Sequence, residues 1–192
     1  MFDRLYDRFK DRVEVPIEVE EIRDEVINLG YREKIIFKPE DIDVGRLKGL
    51  IYEYSVAVGV YADCDRVAEI IYSSRHDLPW QRLACCKELI HACETGVEQT
   101  NTQFLLDGLV EKLLGPLSDE EYGIADFQAS LDKFAVYQAL AIMFPAPARA
   151  AALSSGMSEE EVAEKVVLPL PLVKLVLSDH WPMLVDSLLD DC

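Results

Sequence analysis

Two side chains that could do acid–base or metal chemistry stand three residues apart in this 192-residue chain. Glu88 offers a carboxylate and His91 an imidazole, and a spacing of three places both on one face of a helix. A carboxylate can act as a general base, and an imidazole can bind zinc. Lys87 directly precedes Glu88. These three residues are the candidate catalytic residues of the chain.

The spacing of Glu88 and His91 fits the pattern H-E-x-x-H, with Lys87 at the position of the first histidine. In that pattern two histidines bind zinc and the glutamate is the general base of a peptidase. Catalytic zinc needs three protein ligands and a water, and a single histidine supplies only one of those ligands. Without zinc, Glu88 has no activated water to deprotonate. We therefore predict an inactive remnant with no metal ligand and no cofactor.

Lys87 would place a positive charge where the metal ion sits in an intact motif. We predict that its ammonium group fills that position beside Glu88 as a point charge. The alternative is that the motif is coincidental, because glutamate and histidine occur at this spacing on many helices. In that case Lys87 and Glu88 are solvated, and His91 is a hydrogen-bonded helix histidine.

The N-terminal half must supply the elements that position this helix. Apolar spacing predicts an amphipathic helix at 2–12, and a second helix is expected at 17–29, between Pro16 and Gly30. A short strand is expected at 34–37 before a short helix or turn at 39–41. Residues 50–61 are rich in β-branched and aromatic side chains, and 67–72 read as the returning strand. Together they predict an antiparallel pair, with a turn at 63–65 and the motif helix following at 80–94.

The C-terminal half is predicted to be helical, with prolines separating its helices. Ser158 followed by Glu161 predicts a capping box. The expected fold class is therefore α+β, a small antiparallel sheet packed on a mostly helical domain. Helices are expected at 102–114, 118–126, 128–144, 158–166, 170–177 and 181–189.

Cysteine usage and hydropathy predict a cytoplasmic protein. The five cysteines have no paired spacing, so a secreted disulfide framework is not expected. Cys85, Cys86 and Cys93 are predicted to be small core residues of a buried helix. No apolar run reaches the length of a membrane span, and the charged N-terminus is not a secretory signal.

The chain is strongly acidic, with a formal net charge of −17. Residues 1–50 carry 13 acidic and 10 basic side chains, so −14 of the charge lies in residues 51–192. Such a surface repels nucleic-acid phosphates and attracts basic partners. We expect no direct binding of nucleic acid.

A strand pair, a motif helix and a helical C-terminal half, in that order, resemble the ImmA/IrrE family of zincin-like peptidases. Residues 82–91 (Arg-Leu-Ala-Cys-Cys-Lys-Glu-Leu-Ile-His) resemble the family's R-F-T-x-A-H-E-x-G-H segment. Residues 134–145 resemble its E-A-N-x-F-A-x-x-L-L-M-P helix, and 156–177 its C-terminal helical pair. The resemblance covers residues 35–180. It implies an N-terminal helical segment at 1–34, a zincin-like domain at 35–153 and a helical subdomain at 154–192.

The departures from the family pattern fall on the metal ligands. Phe134 stands where the family's third ligand, a glutamate, would be, and the nearest acid is Asp132. The resemblance therefore implies a lost zinc site. It also implies that the strand before the motif helix lies beside the substrate cleft, so Ile70, Ile71 and Tyr72 are the predicted binding residues.

Members of this family act beside helix-turn-helix repressors in phage, mobile-element, stress-response or toxin–antitoxin settings, and some cleave the repressor. The resemblance implies a pseudoenzyme in transcription regulation that binds such a basic DNA-binding repressor. A free strand edge could add an extended peptide by β-augmentation. Three alternatives remain open: an active metallopeptidase using His91 with Asp132 or Glu94, an acidic mimic of nucleic acid, and an oligomeric element pairing through the helix at 2–12.

Overall fold

A computed structural model describes residues 1–42, 49–57, 64–93 and 124–190, which form an α+β fold of three strands and eight helices. Several predicted features lie outside the described residues. These are the helix at 102–114, most of the helix at 118–126, the end of the strand at 50–61, the turn residue Asp63 and the last residue of the motif helix, Glu94.

The sheet consists of β1 (Lys34–Glu40), β2 (Gly49–Ala57) and β3 (Cys64–Ser73) in the order β1–β3–β2. β2 and β3 form the predicted antiparallel pair, with Gly49 opposite Tyr72. β1 runs parallel to β3, with Lys34 opposite Val67, so the sheet is mixed and the expectation of a purely antiparallel sheet is wrong. A strand's own residues do not reveal which strand becomes its neighbour.

Two further local expectations are corrected by β1 and β3. Pro39 and Glu40 belong to β1 rather than to a turn or a short helix. Proline is tolerated there because β1 is an edge strand, where one side of the backbone needs no ladder partner. Cys64 and Asp65, expected in a turn, already belong to β3.

The motif helix is α3 (Leu78–Cys93), the central helix of the fold. It packs against β2 and β3 on one side and against α2 (Val19–Asn28) and α4 (Ile124–Met143) on others. Each residue from 82 to 90 is buried as a result. The sheet face that covers α3 carries Ala68 and Ile70, which point the same way because side chains alternate along a strand.

Four helices follow α4: α5 (Ala146–Ser155), α6 (Glu159–Val166), α7 (Leu170–Leu177) and α8 (Trp181–Asp190). The last three match the predicted segments. The capping box is confirmed, since the Glu161 amide donates to Ser158 Oγ over 3.2 Å and the Ser158 amide to Glu161 Oε2 over 2.7 Å. α5 was not predicted, because its prolines were interpreted as breakers, but Pro147 lies in the first turn, where proline is tolerated.

The N-terminal helix α1 (Phe2–Phe9) is part of the same hydrophobic core as the rest of the chain. Its apolar residues Phe2, Leu5 and Phe9 are buried, and the core cluster extends through the sheet and α3 to Trp181 of α8. The predicted amphipathic helix is therefore confirmed, three residues shorter than expected. Its apolar face is covered within the chain, which removes the surface required for pairing through α1.

A membrane-spanning helix is absent from the described parts of the chain, where every helix is too short or too polar to cross a bilayer.

Candidate functional site

Lys87 and Glu88 form a buried ion pair in the middle of α3. Nζ of Lys87 lies 2.7 Å from Oε1 of Glu88, and the two side chains are only 9% and 4% exposed. Adjacent residues point about 100° apart around a helix, so the lysine stem must bend back toward the carboxylate. The predicted contact between this ammonium and Glu88 is observed. The alternative in which both side chains are solvated is wrong.

Burial makes each member of this pair dependent on the other. Removing an ion from water costs several kcal/mol, which only a close opposite charge can offset. Oε1 of Glu88 makes no aligned hydrogen bond despite the 2.7 Å contact, so the attraction to the Lys87 ammonium is mainly a charge–charge interaction. Glu88 is thus held as a charge partner rather than as a base facing a solvent-filled site.

The first residue of β2 lies directly against Glu88. A Cβ built on Gly49 would stand 3.3 Å from Oε1 of Glu88, 3.3 Å from Cβ of Ala84 and 3.4 Å from the carbonyl oxygen of Ile71. Two of these distances are tighter than ordinary contacts, so the strand approaches the helix this closely because residue 49 has no side chain. The edge strand β2 therefore begins over the buried ion pair.

His91 lies one turn after the ion pair and is half buried. Across the described residues, no three histidine, cysteine, aspartate or glutamate side chains come together as a metal site could require. A cation placed at Glu88 would also meet the Lys87 ammonium. The side chains described here do not fit a zinc ion.

The other positions considered for metal ligands are Phe134, Asp132 and Glu94. Phe134, which the resemblance aligns with a ligand glutamate, is half buried on α4 and has no ligand atom. The side chain of Asp132 and all of Glu94 lie outside what the structure describes.

Ile70, Ile71 and Tyr72 do not form the single binding surface that was predicted. Ile70 is fully buried on the α3 side of the sheet, Ile71 points to the opposite side, and Tyr72 returns to the α3 side. β3 is paired along both edges, with β1 and with β2, so no peptide can add to it. Of the strands described here, β1 and β2 are the ones at the edges of the sheet.

A cleft of about 370 Å³ lies beside the N-terminal half of α3. Gln81 and Arg82 of α3 and the carboxylates Glu18 and Glu20 supply its polar groups. Its remaining wall is largely apolar or aromatic, and includes Val19, Phe37, Tyr72, Leu78, Cys85 and Val167. Of the predicted binding residues, Tyr72 alone lines this cleft.

Arg82 joins α3 to the segment that leads into α2. One terminal nitrogen pairs with the Glu18 carboxylate, and the other donates to the Ile17 carbonyl oxygen over 2.6 Å. The side chain is about nine-tenths buried, and its Nε has no hydrogen-bond partner. The sequence marked Arg82 only as the first residue of the motif segment. An arginine followed by Leu83, Ala84 and two cysteines could have signalled a buried guanidinium.

Cys85, Cys86 and Cys93 are buried core residues of α3, as predicted. Burial raises the pKa of the Cys85 thiol to about 12, with smaller contributions from the charges of Glu88 and Glu20. Burial also raises the pKa of Cys86. A protonated thiol is a poor nucleophile. The cysteines therefore add no catalytic chemistry to the cleft, and Cys85 forms part of its wall.

No protein-family model matches this chain, and neither a curated protein nor a solved structure matches it.

Proposed function

We propose that this protein is a non-catalytic, zincin-like relative of the ImmA/IrrE peptidases that acts by binding a protein partner. The partner is a basic helix-turn-helix repressor in a phage, mobile-element or stress-response setting. The observation that carries this proposal is the buried ion pair of Lys87 and Glu88. It gives the motif carboxylate a structural role that is incompatible with the role of a general base.

The chemical reason is the charge beside Glu88. A general base in this motif must accept a proton from a metal-bound water. Here the carboxylate is 4% exposed and has an ammonium 2.7 Å away. That ammonium repels a metal cation and occupies the side of the carboxylate that a metal-bound water would have to approach. The pair therefore supports a stable scaffold rather than turnover.

The binding surface proposed here differs from the one suggested by the sequence. Because β3 is interior, we place strand addition at an edge. Among the described strands, β2 is an edge strand, and its first residue, Gly49, lies against Glu88. An edge strand offers unpaired backbone groups to an extended peptide. The net charge of −17 favours a basic peptide over an acidic one.

Metal content tests the loss of the zinc site. Protein purified without chelator would be analysed by elemental mass spectrometry, as wild type and as His91→Ala. We expect near-zero zinc in both. Stoichiometric zinc in the wild type that is lost in His91→Ala would restore the peptidase interpretation.

Binding is tested separately by calorimetry with purified helix-turn-helix repressors encoded in the same genome. We expect a complex whose affinity falls as salt is raised, because opposite surface charges drive association. The repressor should remain intact on prolonged incubation. A cleaved repressor, or no complex with any candidate at low salt, would refute the proposed function.

The alternative of a nucleic-acid mimic has less support, because two of the acids near the C-terminus already have partners within the fold. Glu159 pairs with Lys174 over 3.1 Å, and Glu161 caps the start of its own helix. A mimic requires acids that are free to meet a DNA-binding surface.

A further inference from the structure

We propose that the cleft beside α3 receives an arginine side chain of a protein partner. This inference rests on the proposed function in one respect, that the partner is a basic protein. It concerns a different place from the β2 edge and the ion pair, and it can fail independently of them.

The dimensions and walls of the cleft suit a long side chain. A volume of about 370 Å³ falls within the range of ligand pockets and leaves room for one large side chain with adjoining backbone. Val19, Leu78 and Val167 provide apolar surface for a methylene stem. Leu78 is 59% exposed, so this apolar surface reaches solvent at the rim. Arginine and lysine bury such stems while their charged ends reach a polar partner.

The aromatic residues of the cleft favour a guanidinium. Phe37 and Tyr72 both line it, and Cζ of Arg23 already lies 5.9 Å from the centroid of the Phe37 ring. An aromatic face attracts a cation, and arginine in particular stacks on it through its planar group. Arg23 therefore already covers one face of the Phe37 ring, and the partner's guanidinium would stack on Tyr72 or on the other face of Phe37.

The charges of the cleft favour a cation as well. Glu18 is neutralised by Arg82, whereas Glu20 is exposed and forms no ion pair with any described residue. Glu20 lies close enough to raise the pKa of Tyr72 and of Cys85, although burial is the main cause for both. One uncompensated negative charge therefore acts within the cleft, where a guanidinium would balance it.

Arg82 supplies a contact for the backbone of the occupant. Its Nε is buried without a hydrogen-bond partner, and Arg82 lines the cleft. Buried donors are nearly always satisfied, by protein or by ordered water, and the described residues supply no acceptor for this one. The carbonyl oxygen of a bound peptide would provide one. An arginine residue within a peptide brings both the cation and that carbonyl oxygen.

The test is a titration of the full chain followed by amide NMR, with acetyl-Ala-Arg-Ala-amide as the probe. The citrulline analogue is the neutral control, because citrulline has nearly the same shape as arginine without the charge. We expect shifts at the amides of Val19, Tyr72 and Arg82 with the arginine probe and weaker binding of the citrulline probe. Glu20→Gln should weaken arginine binding about two- to fivefold, the effect of losing one exposed ion pair. Asp179→Asn, an exposed acid outside the cleft, is the matched control and should change nothing.

Three outcomes would overturn this inference: shifts that avoid the cleft, equal binding of the arginine and citrulline probes, or equal effects of Glu20→Gln and Asp179→Asn. A lysine probe that binds as tightly as arginine would overturn the choice of guanidinium. If repressor binding is observed and the probes fail, the proposed function survives and the cleft is not its arginine site. If the probes bind and no repressor does, the cleft is supported as an arginine site and the proposed function is refuted.

Discussion

Replacing Lys87 by methionine should destabilise the protein by roughly 3–5 kcal/mol, the range observed when one partner of a buried ion pair is removed. Methionine keeps most of the length of lysine, so the packing of α3 changes little. The carboxylate of Glu88 would remain, at 4% exposure, without the ammonium that lies 2.7 Å away. Because the side chain of Glu88 is buried, solvent screens its charge poorly. The energy range for buried ion pairs therefore applies, rather than the smaller range for exposed ones.

The second variant, Lys87→Met with Glu88→Gln, separates charge from packing. It removes both charges while keeping the shape of the side chains, so most of the lost stability should return, since removing a whole buried pair is often nearly neutral. Lys10→Met is the matched control. Lys10 lies 2.6 Å from Asp7, a similar separation, but the two side chains are 42% and 60% exposed. Its removal should leave the unfolding midpoint unchanged.

Guanidinium denaturation followed by circular dichroism measures these differences. The slope of the free energy of unfolding against denaturant should stay constant, so that midpoints report stability directly. A loss below about 1 kcal/mol for Lys87→Met would refute the reasoning, as would a double variant no more stable than the single. Either result would mean that Glu88 is compensated by something other than Lys87.

Two further predictions concern the thiols and the helix ends. The pKa of Cys85 is raised from 9.0 to about 12, so the folded chain keeps a proton that the unfolded chain releases. Stability should therefore fall as pH rises from about 9 to 12, and Cys85→Ala should make that fall shallower in urea midpoints measured across this range. Val167 ends α6 with φ at 53°. Val167→Gly should raise the thermal midpoint, because glycine adopts this left-handed conformation without the cost of roughly 1–2 kcal/mol that a residue with a side chain incurs. Gly156→Ala should lower the thermal midpoint for the same reason, since φ is 72° at this position and nothing lies within 4 Å of the added Cβ. A lower midpoint for Val167→Gly would contradict this reasoning.

Elements with strong local signals were predictable from the sequence. The capping box of Ser158 and Glu161 forms within one helical turn, so α6 begins where the residues indicate. α1 was predictable because its apolar residues recur at helical spacing, whatever covers them. α5 was missed because a proline at the start of a helix and a proline that breaks one look alike in sequence.

The arrangement of the sheet could not be read in the same way. The pattern of β3 predicts a strand, but its place between β1 and β2 depends on contacts between residues that are distant along the chain. That placement decides which side chains are accessible. It buries Ile70, points Ile71 and Tyr72 to opposite sides of the sheet and pairs β3 on both edges. This rules out addition of a peptide to β3, whereas a binding role for Ile70, Ile71 and Tyr72 stays a prediction.

The sequence by itself determined the chemistry of the candidate site: an ammonium at residue 87, a carboxylate at 88, and one histidine where zinc needs more ligands. These follow from residue type and helical spacing alone. Only the tertiary structure decided that the ion pair is buried, because the sheet and α4 cover α3 from different sides. It alone also assembled the cleft, since Glu20, Phe37, Tyr72 and Arg82 come from four separate elements. Burial and long-range proximity arise from packing between elements, and no local pattern encodes which elements will meet.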